Sequence, residues 1–142
     1  MRFEAIHFRS YRGSTLSSVG EASDLVYRRD TGEFVARDAK VALSTEDGSV
    51  VHVFAPVLSG DLPGRSYFAR GGVRMERSFD SARTETARCG PDGIVRGDER
   101  IDLLGPGYRM WGPSFTLDPK AGELVIRGGA ELVATGREGL RP

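Results

Sequence analysis

The side chains able to act as nucleophiles, acids or metal ligands are few and scattered: His7, His52, Cys89, and single aspartates such as Asp30, Asp47, Asp92 and Asp118. A nucleophilic triad needs a histidine held between a serine or cysteine and a carboxylate. Both histidines fall in alternating, strand-like runs, where a side chain facing solvent or a neighbouring strand accounts for them. Cys89 precedes Gly90-Pro91 in no nucleophile context and reads as a small strand residue. The aspartates stand at turns, where a carboxylate accepts nearby backbone amides, and no alternating-aspartate calcium loop is present. The pairs Gly71-Gly72 and Gly128-Gly129 do not lie between a strand and a helix, as a phosphate cradle requires. No catalytic, metal or cofactor site is expected, and the chain is read as a non-enzyme.

The information lies instead in an apolar alternation that repeats. In residues 115–134, Phe115 and Leu117 share one face, Asp118-Pro119-Lys120-Ala121-Gly122 turns the chain, and Leu124 and Ile126 return on the same face. Gly128-Gly129 breaks the strand before Ala130, Leu132 and Ala134 resume the inward set. Residues 25–43 repeat the unit, with Leu25 and Tyr27, a turn at Asp30-Thr31-Gly32, Phe34 and Ala36, a break at Arg37-Asp38, then Ala39, Val41 and Leu43. Aligned on Gly32 and Gly122, both copies carry an arginine five residues on, Arg37 and Arg127. A third copy, 58–75, sets Tyr67, Ala69, Val73 and Met75 around Arg70-Gly71-Gly72. A fourth and shorter one, 87–103, turns at Pro91-Asp92-Gly93. Turn glycines at 32, 64, 93 and 122 mark an array of stacked hairpins.

At 142 residues the chain is long enough for one domain with its own core. Its 20 basic and 20 acidic residues cancel, so no large basic field argues for nucleic acid. The single cysteine rules out an intramolecular disulfide. No apolar run approaches the roughly 18 residues of a membrane-spanning helix, and no signal-peptide pattern follows Met1. The chain is therefore read either as cytoplasmic or as a piece whose export or anchor segment lies outside it. Further strands are expected at 2–11, with Ile6 and Phe8 on one face and Phe3, His7 and Tyr11 on the other, and at 15–22. A Glu46-Asp47-Gly48 hairpin should lead to Val51, Val53, Ala55 and Val57 on one face, residues 78–82 should form a loose connection, and 83–88 a polar strand. No segment holds a helical period, and nineteen glycines oppose one. The expected fold is all-β, antiparallel hairpins forming one domain over 1–135 with a tail at 136–142.

Alternation alone leaves two readings of the apolar face: a plain packed core, or a trough between splayed sheets suited to acyl chains. The first and last strands would carry unpaired backbone groups that invite strand addition.

The repeating unit, a turn followed by Gly-x-[Leu/Phe/Ile]-Val-x-Arg and a Gly or Asp break, resembles the periplasmic domain of the LptC family, within the LptA and OstA-like superfamily. IVRGDERIDLLGPGY (94–108) and FTLDPKAGELVIRGGAELVA (115–134) carry most of the likeness; 27–43 and 51–56 carry the rest. The resemblance implies a V-shaped β-jellyroll with an apolar groove that holds lipopolysaccharide acyl chains, joined edge to edge with other Lpt domains. It implies a periplasmic bridge function, accepting lipopolysaccharide from the inner-membrane ABC transporter, and an N-terminal inner-membrane anchor that this chain lacks. By motif position the groove would be lined by Tyr27, Phe34, Ala36, Val41, Tyr67, Ala69, Val73 and Met75, and by Ile101, Leu103, Phe115, Leu117, Leu124, Ile126, Ala130 and Leu132. The alternative is a self-associating β-roll scaffold of the bactofilin kind, which predicts a dry interior and filaments.

Overall fold

The computed structural model describes residues 1–12, 14–44 and 48–134, and every element within them is a strand. In chain order these are β1 (Arg2–Arg12), β2 (Thr15–Tyr27), β3 (Glu33–Ser44), β4 (Val50–Asp61), β5 (Ser66–Glu76) and β6 (Ser81–Cys89), followed by six short ones. The short strands are β7 (Val95–Gly97), β8 (Ile101–Gly105), β9 (Tyr108–Gly112), β10 (Ser114–Asp118), β11 (Glu123–Arg127) and β12 (Glu131–Ala134). Every pairing is antiparallel. The all-β expectation holds.

The breaks at Arg37-Asp38 and Gly71-Gly72 lie inside β3 and β5, whereas Gly128-Gly129 separates β11 from β12 as the sequence suggests. Asp38 has φ 51°, Gly71 and Gly72 have 92° and 97°, Gly128 and Gly129 have 85° and 102°, and Ala5 in β1 has 52°. Pairing is interrupted at the same level, between Phe54 and Val57 of β4 and between Arg70 and Val73 of β5. Ser23 Oγ donates to Asp38 Oδ2 at 2.9 Å and to the Arg37 carbonyl at 3.2 Å, tying β2 to β3 at that level. These irregularities form a seam across the sheet, because an extra residue in a strand bends it and strengthens its twist. Five strands of 11–13 residues cross the seam.

The seam divides the sheet into two leaves. Beyond β6, one leaf continues as β7-β10-β11 and the other as β8-β9-β12. Their apolar faces meet: Leu117 and Leu124 of the first leaf and Val51, Met75 and Leu103 of the second line one narrow void. The main core gathers Val73, Ile101 and Phe115, all at most 1% exposed, across both leaves. A smaller cluster holds Ala22, Phe34 and Ala36, with Ile6, Leu25, Tyr27, Leu58 and Tyr67 packed around it.

Three sequence readings are corrected, the first two because a bulge reverses the alternation. Phe3, expected opposite Ile6, shares its face, because Phe3 lies against Leu25 and Ile6 against Ala22 on either side of Ala5. Val57, expected alongside Ala55, pairs with Arg37 and Arg70 on the outer face, and Leu58 takes the inner place. The third concerns 78–82: β6 already begins at Ser81, and Ala82 is buried against Met75. At the third turn the left-handed residue is Arg65 (φ 51°) rather than Gly64, whose amide instead bonds Asp61 Oδ1. Gly32, Gly93 and Gly122 do have positive φ. Gly48 has φ 86°, while Glu46-Asp47 and the tail at 136–142 lie outside the described residues.

Candidate functional site

Register carries one apolar face across the whole sheet, because directly opposed residues share a face. In the first leaf the row runs Tyr27–Phe34–Gly60–Tyr67–Cys89–Val95–Leu117–Leu124. A parallel row runs Leu25–Ala36–Leu58–Ala69–Ala87. Phe115 and Ile126 follow, with Phe115 lying over Gly97; a methyl placed on Gly97 would stand 2.1 Å from that ring. In the second leaf Gly20, Val41, Val53, Met75, Ala82, Leu103, Met110 and Leu132 are consecutive register partners. Gly20 is required there because the Phe8 ring lies across it.

Of the residues named from sequence, Phe34, Ala36, Ala69, Val73, Met75, Ile101, Leu103, Phe115 and Leu117 are buried. Tyr27, Val41, Tyr67, Leu124 and Ile126 are half-buried. Leu132 lies on the inner face opposite Met110 but is 63% exposed, since β12 is the last strand and nothing covers it. Ala130 is exposed in the seam beside the glycine pair. Sequence reasoning passed over Leu58, Ala82, Ala87, Val95 and Met110, and the buried Thr84, whose hydroxyl donates to the Thr86 carbonyl at 3.5 Å. A period-2 count restarted after each bulge recovers them, as it does Ala82-Thr84 and Ala87-Cys89 on either side of Glu85.

Packing along this interior is uneven. Between β4–β6, β8, β10 and β11 the void has a volume of only about 20 Å³. Towards β1 and β2 the face opens, and Phe3 is 40% exposed. Desolvation raises the pKa of the Tyr67 phenol, and also of the Cys89 thiol opposite it, where the Asp92 charge adds to the effect. Both groups therefore stay neutral at ordinary pH, as an apolar wall requires. Neither histidine faces this interior: His7 has a 78% exposed side chain 3.7 Å from Glu21, and His52 is exposed opposite Glu76.

A larger concavity, of about 690 Å³, lies at the rim of the first leaf, lined by Val26, Val35, Phe68, Arg88 and Arg96 of the outer face and by Phe34, Gly60, Tyr67 and Cys89 of the inner row. Both guanidiniums are already engaged, Arg88 with Asp98 and Arg96 with Asp92, and each acid's pKa is lowered chiefly by that hydrogen bond. Trp111 on the outer face of β9 is covered by Arg100 and Arg109, which share Asp102. Among the described residues no cluster of His, Cys, Asp or Glu is placed to hold a metal ion. The outer face thus carries paired charges beside the exposed Val26, Val35 and Phe68, and the inner face is the continuous apolar surface.

A two-leaved antiparallel roll of this kind has a counterpart among solved structures, matched with a TM-score of 0.63 over 84% of this chain and 95% of that one. The fold is that of LptH. That protein is the LptA-homologous periplasmic component of the conserved lipopolysaccharide transport device of Pseudomonas aeruginosa. Sequence identity to LptH is 12%, so the likeness is one of fold. No protein-family model matches the chain, and no curated protein does. The LptH-like fold agrees with the all-β roll expected from sequence; nothing in it singles out the LptC family.

Three strand edges remain free in this arrangement. Among the described residues β1 pairs only with β2, β11 only with β10, and β12 only with β9. Both ends of the roll therefore present unpaired strand backbone next to an exposed inner-face residue, Phe3 at one end and Leu132 at the other.

Proposed function

We propose that this chain is a periplasmic lipopolysaccharide-binding bridge domain that holds acyl chains between its leaves and passes them along the roll without covalent chemistry. The observation that carries this reading is the unbroken apolar inner face, running from β1 to β11 and β12 with free strand edges at both ends, in a fold shared with LptH. The lining is the set named from sequence, with Phe3, Ile6, Leu58 and Met110 added. Free strand edges at both ends support edge-to-edge joining with other Lpt β-rolls, the N-terminal edge towards the inner-membrane ABC transporter and the C-terminal edge towards the next domain. We assign the chain no catalytic role, and an N-terminal inner-membrane tether as in the LptC family remains part of the proposal.

Site-specific photo-crosslinking tests it. Crosslinkers at Phe115, Leu124 and Leu132 should capture lipopolysaccharide, and one at the outward Arg127 should not. Lipid at none of the inner positions in a folded protein would sink the reading. The tight packing between β4–β6 and β11 favours the second reading, a self-associating scaffold with a dry interior. That outcome would show as filaments and no crosslinked lipid.

A further inference from the structure

The two leaves are joined along the seam and free on the opposite side, where their turns form two lips. The lip of the second leaf includes the 77–80 turn between β5 and β6, and that of the first includes the 119–122 turn between β10 and β11. Here one side chain crosses the mouth. Arg77 Nη1 donates to the Gly122 carbonyl at 3.0 Å, 45 residues away in sequence. Its other nitrogens are held by Asp80, Nε to Oδ1 at 3.0 Å and Nη2 to Oδ2 at 2.7 Å. The Arg77 amide also donates to the Asp80 carbonyl at 2.9 Å, so the turn itself fixes the pair. The side chains are 33% and 11% exposed. Arg77 and Asp80 also roof the void of about 20 Å³ whose walls are Met75 and Leu103 on one leaf and Leu117 and Leu124 on the other.

This geometry separates two jobs. The bidentate Asp80 pair keeps the guanidinium oriented whether or not the mouth is closed. The bond to Gly122 goes to a neutral backbone carbonyl, without the opposite charge that holds the Asp80 pair, and is the part that can yield. The void beneath it is too small for an acyl chain, whereas the interior near β1 and β2 is already open. Resting on the lipid-bridge reading above, we propose that Arg77, held by Asp80, is a latch: it closes the lips over the β10–β11 end and must release Gly122 before an acyl chain can lie between the leaves there. Arg77 thus governs entry to the closed half of the interior, and its loss speeds loading.

The test uses the full chain with Arg77→Ala, and with Arg77→Lys as a variant that keeps the charge facing Asp80. Without lipid, amide exchange over 115–126 should be about tenfold faster in Arg77→Ala, the effect on that segment of losing the charge-assisted bond to Gly122, with β1–β3 unchanged. Arg77→Lys should lie between. With lipopolysaccharide added, crosslinking from position 124 should accelerate while crosslinking from Tyr27 keeps its rate. Exchange unchanged over 115–126, or faster throughout the protein, would overturn the latch, the latter making Arg77 a general anchor. Locally faster exchange with no lipid captured at either position in any variant would uphold the latch and refute the lipid reading.

Discussion

At the level of single residues, the interior is held by a few large side chains facing small ones. Phe115 is 1% exposed and its ring occupies the space over Gly97, which a side chain there would fill. Phe115→Ala should cost about 3–5 kcal/mol, read from urea unfolding, because the cavity opens where both leaves converge and the glycine cannot fill it. Cys89 makes the complementary point about polarity. Burial first, then the Asp92 charge, pushes its thiol pKa up. The folded state therefore disfavours the thiolate, so stability is intact below the ordinary thiol pKa and falls as pH rises through the higher folded value. Alkylation of Cys89 should be slower in the native protein than in urea at the same pH, and equal rates would contradict its place on the inner wall.

Among the elements, the seam does the shaping. Five long strands cross it, and each changes direction there because a residue takes positive φ or drops out of register. Gly72 isolates the backbone contribution: its φ is 97°, yet nothing lies within 4 Å of where a Cβ would stand. Gly72→Ala should thus destabilise through strain alone, by roughly 1–2 kcal/mol in denaturant unfolding. Gly71→Ala adds a contact with Pro56 at 3.3 Å and should cost more. Equal stability of wild type and Gly72→Ala would mean that the bend is not set by the glycines.

For the whole molecule, the question is what drives binding. Burying acyl carbons stabilises a complex by about 0.8 kcal/mol per CH₂, a contribution that salt does not screen. Several arginines on the outside are committed to carboxylates, and such exposed pairs weaken with ionic strength. Lipopolysaccharide capture at Leu124 should therefore persist at high salt and fall as acyl chains are removed. Capture that vanished with salt would place the lipid on the charged back of the roll.

The repeating alternation determined the fold class, the turns at Gly32, Gly93 and Gly122, and most of the inner face, because strand period and turn chemistry are local properties. Phe34, Ala36, Val73, Met75, Phe115 and Leu117 were legible for that reason. What the tertiary structure alone decided was non-local. A bulge shifts one strand's phase by one residue, which is why Phe3 turned in and Val57 turned out, and only register against neighbours reveals it. Exposure at Leu132 depends on β12 being the last strand of its leaf. The contact of Arg77 with Gly122 requires two leaves to close on each other, and a sequence pattern carries no term for the distance between turns 45 residues apart.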